Sequence, residues 1–220
     1  MTPTIVIAVD GTAASGKGTL AKKLARHFNY HHLDSGSLYR LVAVGVIDAG
    51  GDPRNEADAL KAARNIDPAA ADDPRIRSAE IGSAASLVSV FQPVRSALLE
   101  YQRIFAARPP GAVIDGRDIG TVVCPDAAAK LFVDAAPEVR AHRRWLELKG
   151  YGQTPDEAAI LKEIRERDAR DKGRTIAPMK PAPDAFLLDT SDLDIDAAFA
   201  AALALVQPKV EEALKAHPRG

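Results

Sequence analysis

Ile5-Val6-Ile7-Ala8-Val9-Asp10-Gly11-Thr12-Ala13-Ala14-Ser15-Gly16-Lys17-Gly18-Thr19 is the stretch on which the fold turns. An apolar run ending in an aspartate reads as a strand buried on both faces. A G-x-x-x-x-G-K loop follows, and then the start of a helical pattern. Strand, loop and helix together are the context in which such glycines cradle phosphate. Backbone N–H groups turn inward toward phosphate oxygens, and the helix N-terminus adds partial positive charge. The candidate nucleotide-phosphate site is therefore Gly11, Thr12, Ala13, Ala14, Ser15, Gly16, Lys17, Gly18 and Thr19. Lys17 is expected to reach the β- and γ-phosphates, and a hydroxyl to ligate Mg²⁺. The usual hydroxyl directly after the lysine is replaced by Gly18, and Thr19 comes next. The motif predicts nucleotide binding without choosing between a kinase and a switch.

Four further runs are strand-like: Tyr30–Asp34, Ala112–Asp115, Lys130–Asp134 and Ala185–Asp189. Each also ends in aspartate. Helix-period segments separate them, which predicts an α/β domain with a parallel sheet of five strands. Residues from about 35 to 107 hold three or four helices, too many for one crossover, so an inserted lobe is expected there. Asp67-Pro68-Ala69-Ala70-Ala71-Asp72-Asp73-Pro74 breaks the lobe in the middle. A second segment, from Lys149-Gly150-Tyr151-Gly152 to Pro178, places glycines on either side of a charged helix, as suits a moving part.

The composition narrows the class. The chain has 220 residues, 29 Lys and Arg against 30 Asp and Glu, and 46% hydrophobic residues. That balance suits a soluble globular protein and not a disordered one. A formal charge of −1 argues against bulk nucleic-acid binding. No stretch is apolar enough for a membrane span, and Met1-Thr2-Pro3-Thr4 offers no basic start to a secretory signal. One cysteine, Cys124, supports neither a disulfide framework nor a Cys-rich zinc site. His31-His32 lacks neighbouring ligand residues, so no zinc is expected there. A cytoplasmic location follows as the expectation.

Asp34-Ser35-Gly36-Ser37-Leu38-Tyr39-Arg40 follows the second strand, and Asp115-Gly116-Arg117-Asp118 follows the third. Taken singly, the first is a helix cap and the second a turn with an ion pair. Ligands of open α/β sheets bind outside the carboxyl ends of strands. Beside a phosphate loop, Arg40, Arg117 and Lys17 are thus expected to converge on an anionic ligand. In Arg165–Arg174, the residues Arg167, Arg170 and Arg174 recur at i, i+3 and i+7, which predicts a guanidinium ladder on one helix face. The bland reading is a solvated helix with pairs such as Arg167–Asp171. His142-Arg143-Arg144 on the preceding helix could add to the ladder. General bases are scarce. A phosphate monoester acceptor needs none, because its second pKa is ~6. The task would then be to hold two polyanions in line with arginines and Mg²⁺.

These residues resemble bacterial cytidylate kinases, a family of nucleoside monophosphate kinases. The resemblance covers nearly the whole chain. It is carried by Gly-x4-Gly-Lys-Gly-Thr, Leu33–Arg40, Asp115–Val123, Ala141–Arg144, Glu166–Asp171, Ala84-Ala85-Ser86 and Phe91–Arg95. It implies a three-layer phosphate-loop kinase core of residues 1–34, 108–149 and 176–220. It further implies a helical acceptor lobe at about 35–107 and a mobile lid at about 150–175. It implies transfer of a phosphoryl group from ATP, with Mg²⁺, to CMP or dCMP by a monomer with no nucleic-acid or membrane partner. Arg40 and Arg117 would hold the CMP phosphate. Ser35, Arg95, Asp118 and Arg174 would read cytosine, while Ser86, Arg167 and Asp171 would meet the sugar. Lys17, Arg117, Arg143, Arg167 and Arg170 would act on the transferring phosphates, with Thr19 and Asp115 at the metal. Typical members carry a small β-rich insert in the lobe, where this chain has only Asp67–Pro74. Two alternatives stay open: a related kinase with UMP or a small metabolite as acceptor, and a non-catalytic nucleotide switch. The second would need a guanine-reading Asn-Lys-x-Asp run, which the sequence lacks.

Overall fold

The computed structural model describes residues 4–216. Ile5–Gly11 forms strand β1, with every residue but Val6 buried. Gly111–Gly116 (β3) is wholly buried, and so is Ala129–Asp134 (β4) apart from Asp134. These three occupy the sheet centre, which explains their continuous apolar character. The shorter His31–Asp34 (β2) and Phe186–Asp189 (β5) are the edges, in the order β2-β3-β1-β4-β5. Strand β1 runs parallel to β3 and β4, and β4 parallel to β5. Asp10 lies opposite Gly116, Gly11 opposite Val133, and Asp134 opposite Asp189. The register thus brings the aspartates at the strand ends to one edge of the sheet, where ligands of open α/β sheets bind.

Helix α1 (Lys17–Phe28) buries Leu20, Ala21, Leu24 and Ala25 against the sheet. Asn29 ends it in a left-handed C-cap. The C-terminal helix α8 (Ile195–Ala216) adds Ala198, Ala202, Val206 and Val210 to the same core, one residue per turn. Helices α6 (Pro137–Gly150) and α7 (Glu157–Gly173) share a smaller cluster of Ala141, Leu148, Ile160 and Ile164. No helix among the described residues is long and apolar enough to cross a membrane.

The chain divides into two compact units, Asp34–Phe105 and the remainder. The smaller unit is helical. Its helix α2 (Ser35–Asp48) is apolar around most of its circumference, as a central helix should be. Leu38, Val42 and Val46 enter one cluster with residues of α3 (Glu56–Ala63) and α5 (Gln92–Ala106). Leu41, Ala43 and Val44 enter another with Ile76 and with Ile81 of α4 (Ala79–Val88). The central break is built from two 3₁₀ turns, Pro68–Asp72 and Pro74–Arg77. Asp67 and Asp73 cap them, each accepting from a backbone N–H two residues on. Two Asp-Pro steps therefore specify this region: the aspartate caps and the proline starts the turn.

Candidate active site

In the larger unit, Gly11 has φ +151°, and a Cβ there would fall 2.0 Å from the Val133 carbonyl oxygen. Only glycine lets the loop leave β1 so close to β4. Gly16, at φ 87°, then starts α1. The loop between them is tied from behind. Thr12 Oγ1 donates to Asp134 at 2.6 Å, Arg140 Nη1 donates to the Ala13 carbonyl at 3.2 Å, and Thr190 Oγ1 donates to the Ser15 carbonyl at 2.9 Å. Ser15 Oγ donates in turn to the Thr12 carbonyl. Protein donors thus take the carbonyls of residues 12, 13 and 15, and the first turn of α1 holds no acidic residue. That arrangement suits an anion at the helix N-terminus.

Lys17 Nζ stands 4.0 Å from Oδ2 of Asp115, which is 2% exposed. His32 Nε2 lies 2.9 Å from the other Asp115 oxygen. A Cβ on Gly18 would be 3.7 Å from Asp115, so position 18 faces this carboxylate, while Thr19 is exposed. One buried carboxylate beside a phosphate loop fits Mg²⁺, which keeps waters and takes its other oxygens from phosphates.

Asp171 on α7 gathers three of the predicted arginines. Arg117 Nε donates to it at 3.0 Å, and Arg167 Nε is 3.9 Å away. Burial alone would raise the Asp171 carboxyl. The charges of Arg117, Arg167 and Arg174 outweigh that, and the Arg117 hydrogen bond adds to them, so the group sits below the usual carboxylate range. Helix α7 stops at Gly173, and Arg174 is extended. The expected three-step ladder therefore loses its last rung: Arg174 reaches Asp171 from beyond the helix, not along its face. Arg170 is half-buried on α7. Asp118 is buried and follows Arg117 directly.

In the helical unit, Ser35, Ser86 and Arg95 are buried. Arg95 Nη1 donates to the Ser89 carbonyl at 3.1 Å, with its guanidinium 5.6 Å from the centre of the Tyr39 ring. Arg40 donates to the Ile76 carbonyl and lies over Gly82, where a Cβ would be 3.3 Å from both terminal nitrogens. A cavity of about 420 Å³ in this unit is lined by Val44, Ala62, Ile66, Asp67 and Arg75 among others, and by none of the predicted site residues.

The cytidylate kinase family model matches residues 7–208. The chain belongs to the cytidylate kinase family. It is 57% identical over 203 residues to the cytidylate kinase of Rhodopseudomonas palustris strain TIE-1, covering 92% of this chain and 96% of that one. With the cytidylate kinase of Nitrobacter winogradskyi the identity is 55% at the same coverage. Among solved structures, an uncharacterised protein from Eubacterium ventriosum superposes with a TM-score of 0.55 at 16% identity, covering 93% of this chain and 99% of that one. That likeness concerns the fold alone.

Within this cytidylate kinase fold, Arg143 is engaged at the β5 end. It donates to Thr190 Oγ1 at 3.1 Å, to the Thr190 carbonyl at 2.6 Å and to the Leu193 carbonyl at 3.2 Å. Through Thr190 it supports Ser15 of the loop. Sequence reasoning passed over Arg140, which is 2% exposed and donates to Asp168 at 2.6 Å and to the Ala135 carbonyl at 2.7 Å. Its signal lay beside the motif that was read, in Val139-Arg140-Ala141. The second Asp168 oxygen is buried with no hydrogen-bond partner among the described residues. In the sequence Asp10 shows only as the end of a strand.

Proposed function

We propose that this protein transfers the γ-phosphoryl group of ATP to CMP or dCMP, giving ADP and CDP or dCDP. The observation that carries this reading is the braced loop Gly11–Thr19 with Lys17 beside buried Asp115, in a chain of the cytidylate kinase family. The loop N–H groups and Lys17 bind the ATP phosphates. Asp115 and Thr19 are the residues that would hold Mg²⁺. When bound there, Mg²⁺ would supply charge neutralisation to the ATP phosphates.

An oxygen of the CMP phosphate attacks the γ-phosphorus, and the bond to the β-bridging oxygen breaks. The acceptor oxygen is already ionised at neutral pH, so no proton has to be moved. The remaining work is charge stabilisation and alignment. Lys17, Arg117, Arg167, Arg170 and Arg143 supply it, Arg143 from its place behind the loop. Arg40 and Arg117 bind the acceptor phosphate. Ser35, Arg95, Asp118 and Arg174 read cytosine, and Ser86, Arg167 and Asp171 meet the sugar. Residues of about 150–175 act as a lid that excludes water, since water competes with CMP for the phosphoryl group. Core 1–34, 108–149 and 176–220 and acceptor lobe 35–107 complete the division of labour. The enzyme works as a cytoplasmic monomer.

ADP formation from ATP with each monophosphate in turn tests the reading. CMP and dCMP should support turnover that needs Mg²⁺ and falls severely in Lys17→Ala. No ADP formation with CMP, or near wild-type turnover in a folded Lys17→Ala protein, would contradict it.

A further inference from the structure

Asp10 is 4% exposed and immediately precedes the phosphate loop. Its carboxylate takes no part in the bracing of that loop by Asp134, Arg140 and Thr190. Oδ1 accepts from the Ile119 N–H at 2.8 Å, and Oδ2 accepts from the Gly120 N–H, also at 2.8 Å. Those amides belong to the first residues of a π turn, Ile119–Val123, that begins directly after Arg117-Asp118. The turn closes on Asp118 from the other side: the N–H groups of Val122 and Val123 donate to the Asp118 carbonyl at 2.9 and 3.3 Å. The peptide linking Asp118 to Ile119 is thus held at both ends.

Gly120 permits the approach. A Cβ there would sit 3.1 Å from Lys130 Cδ and 3.5 Å from Asp10 Oδ2. Both carboxylate oxygens are used on amides of one turn, so the interaction fixes the turn's rotation as well as its distance. An amide could satisfy only one of the two donors and would turn an N–H toward the other. Rotating the turn would redirect the Asp118 side chain and the Arg117 backbone together.

We propose that Asp10 is a positioning residue for acceptor recognition, setting through the Ile119 and Gly120 amides the geometry of Arg117 and Asp118. This rests on the assignment of those two residues to CMP. It adds a link between the strand that enters the phosphate loop and the turn that reads the acceptor.

Steady-state kinetics of Asp10→Asn, with CMP and ATP varied separately, test it. The expected result is a rise of about tenfold to a hundredfold in KM for CMP, the weight of one charge-assisted hydrogen bond. KM for ATP should change less than about twofold, since the loop keeps its Thr12, Ala13 and Ser15 braces. Gly120→Ala, which crowds the same turn while keeping the Asp10 carboxylate in the chain, should raise KM for CMP in the same selective way and decides the matter if Asp10→Asn does not fold. Equal effects on both KM values, or none on CMP, would overturn the proposal. Asp118→Ala in parallel separates the two layers. If Asp118→Ala raises KM for CMP and the Asp10 and Gly120 variants do not, the positioning role alone falls. If Asp118→Ala leaves KM for CMP unchanged, the acceptor assignment falls with it.

Discussion

Asp10 carries a conflict visible in its own environment. Burial pushes its carboxyl up to about 7 against the backbone hydrogen bonds from Gly120 and Ile119, with Asp118 adding to the rise and Arg117 opposing it. A carboxyl raised from its ordinary 3.8 stabilises the fold fully below about pH 4, and that contribution is lost as pH rises through about 7. Asp10→Asn does not titrate. Urea unfolding of both proteins should therefore show the variant gaining on wild type by roughly 3 kcal/mol between pH 5 and 8. A stability difference that does not change over this range would contradict the account. The ionised Asp10 would then be a place where binding geometry is kept against stability. Residues of this kind are hard to read from sequence. The phosphate loop is legible because its glycines, lysine and helix start are contiguous. Asp10 acts on amides 109 and 110 positions away, and nothing local marks it apart from other strand-ending aspartates. Arg140 is hidden for a similar reason, since its partners Ala13 and Asp168 come from two distant segments.

Helix α7 is fastened to the core by the pair Arg140–Asp168, with side chains 2% and 12% exposed. Arg140→Met would leave the Asp168 carboxylate buried beside no cation at that site. Removing one partner of such a pair costs about 3–5 kcal/mol, which for a chain of this size is a fall of about 10 °C in Tm. Replacing both, as Arg140→Met with Asp168→Leu, should recover the part due to the unpaired carboxylate, leaving the cost of the lost bonds to the Ala13 and Ala135 carbonyls. Thermal unfolding of the single and double variants is the check, and a double variant no more stable than the single would refute it. The strands were legible at this scale because central ones are apolar on both faces and edge ones are short. The lobe's helices were legible as a group. Their boundaries at Asp67-Pro68 and Asp73-Pro74 read only as a break, since a 3₁₀ turn of four or five residues leaves no periodicity to see. Ile119-Gly120-Thr121-Val122-Val123 is apolar and β-branched, and its π turn is imposed by tertiary contacts with Asp10. The guanidinium ladder was extended one residue too far because the helix ends at Gly173.

For the whole molecule, the proposed acceptor choice is a matter of hydrogen-bond polarity. Cytosine presents an exocyclic amine beside a ring-nitrogen acceptor, whereas uracil presents a carbonyl beside an N–H. A carboxylate, the role proposed for Asp118, would accept from the amine and would confront the uracil carbonyl. A guanidinium, the role proposed for Arg95 and for Arg174, would donate to the cytosine acceptor edge and would meet the uracil N–H. Asp118 and Arg95 are each buried, so in their proposed role a wrong base would leave a polar group unpaired away from water. The most direct test is kcat/KM for CMP and for UMP with saturating ATP and Mg²⁺. The account predicts preference for CMP by roughly 10⁴, the discrimination available to a site that hydrogen-bonds its substrate. Equal kcat/KM for the two nucleotides would contradict it.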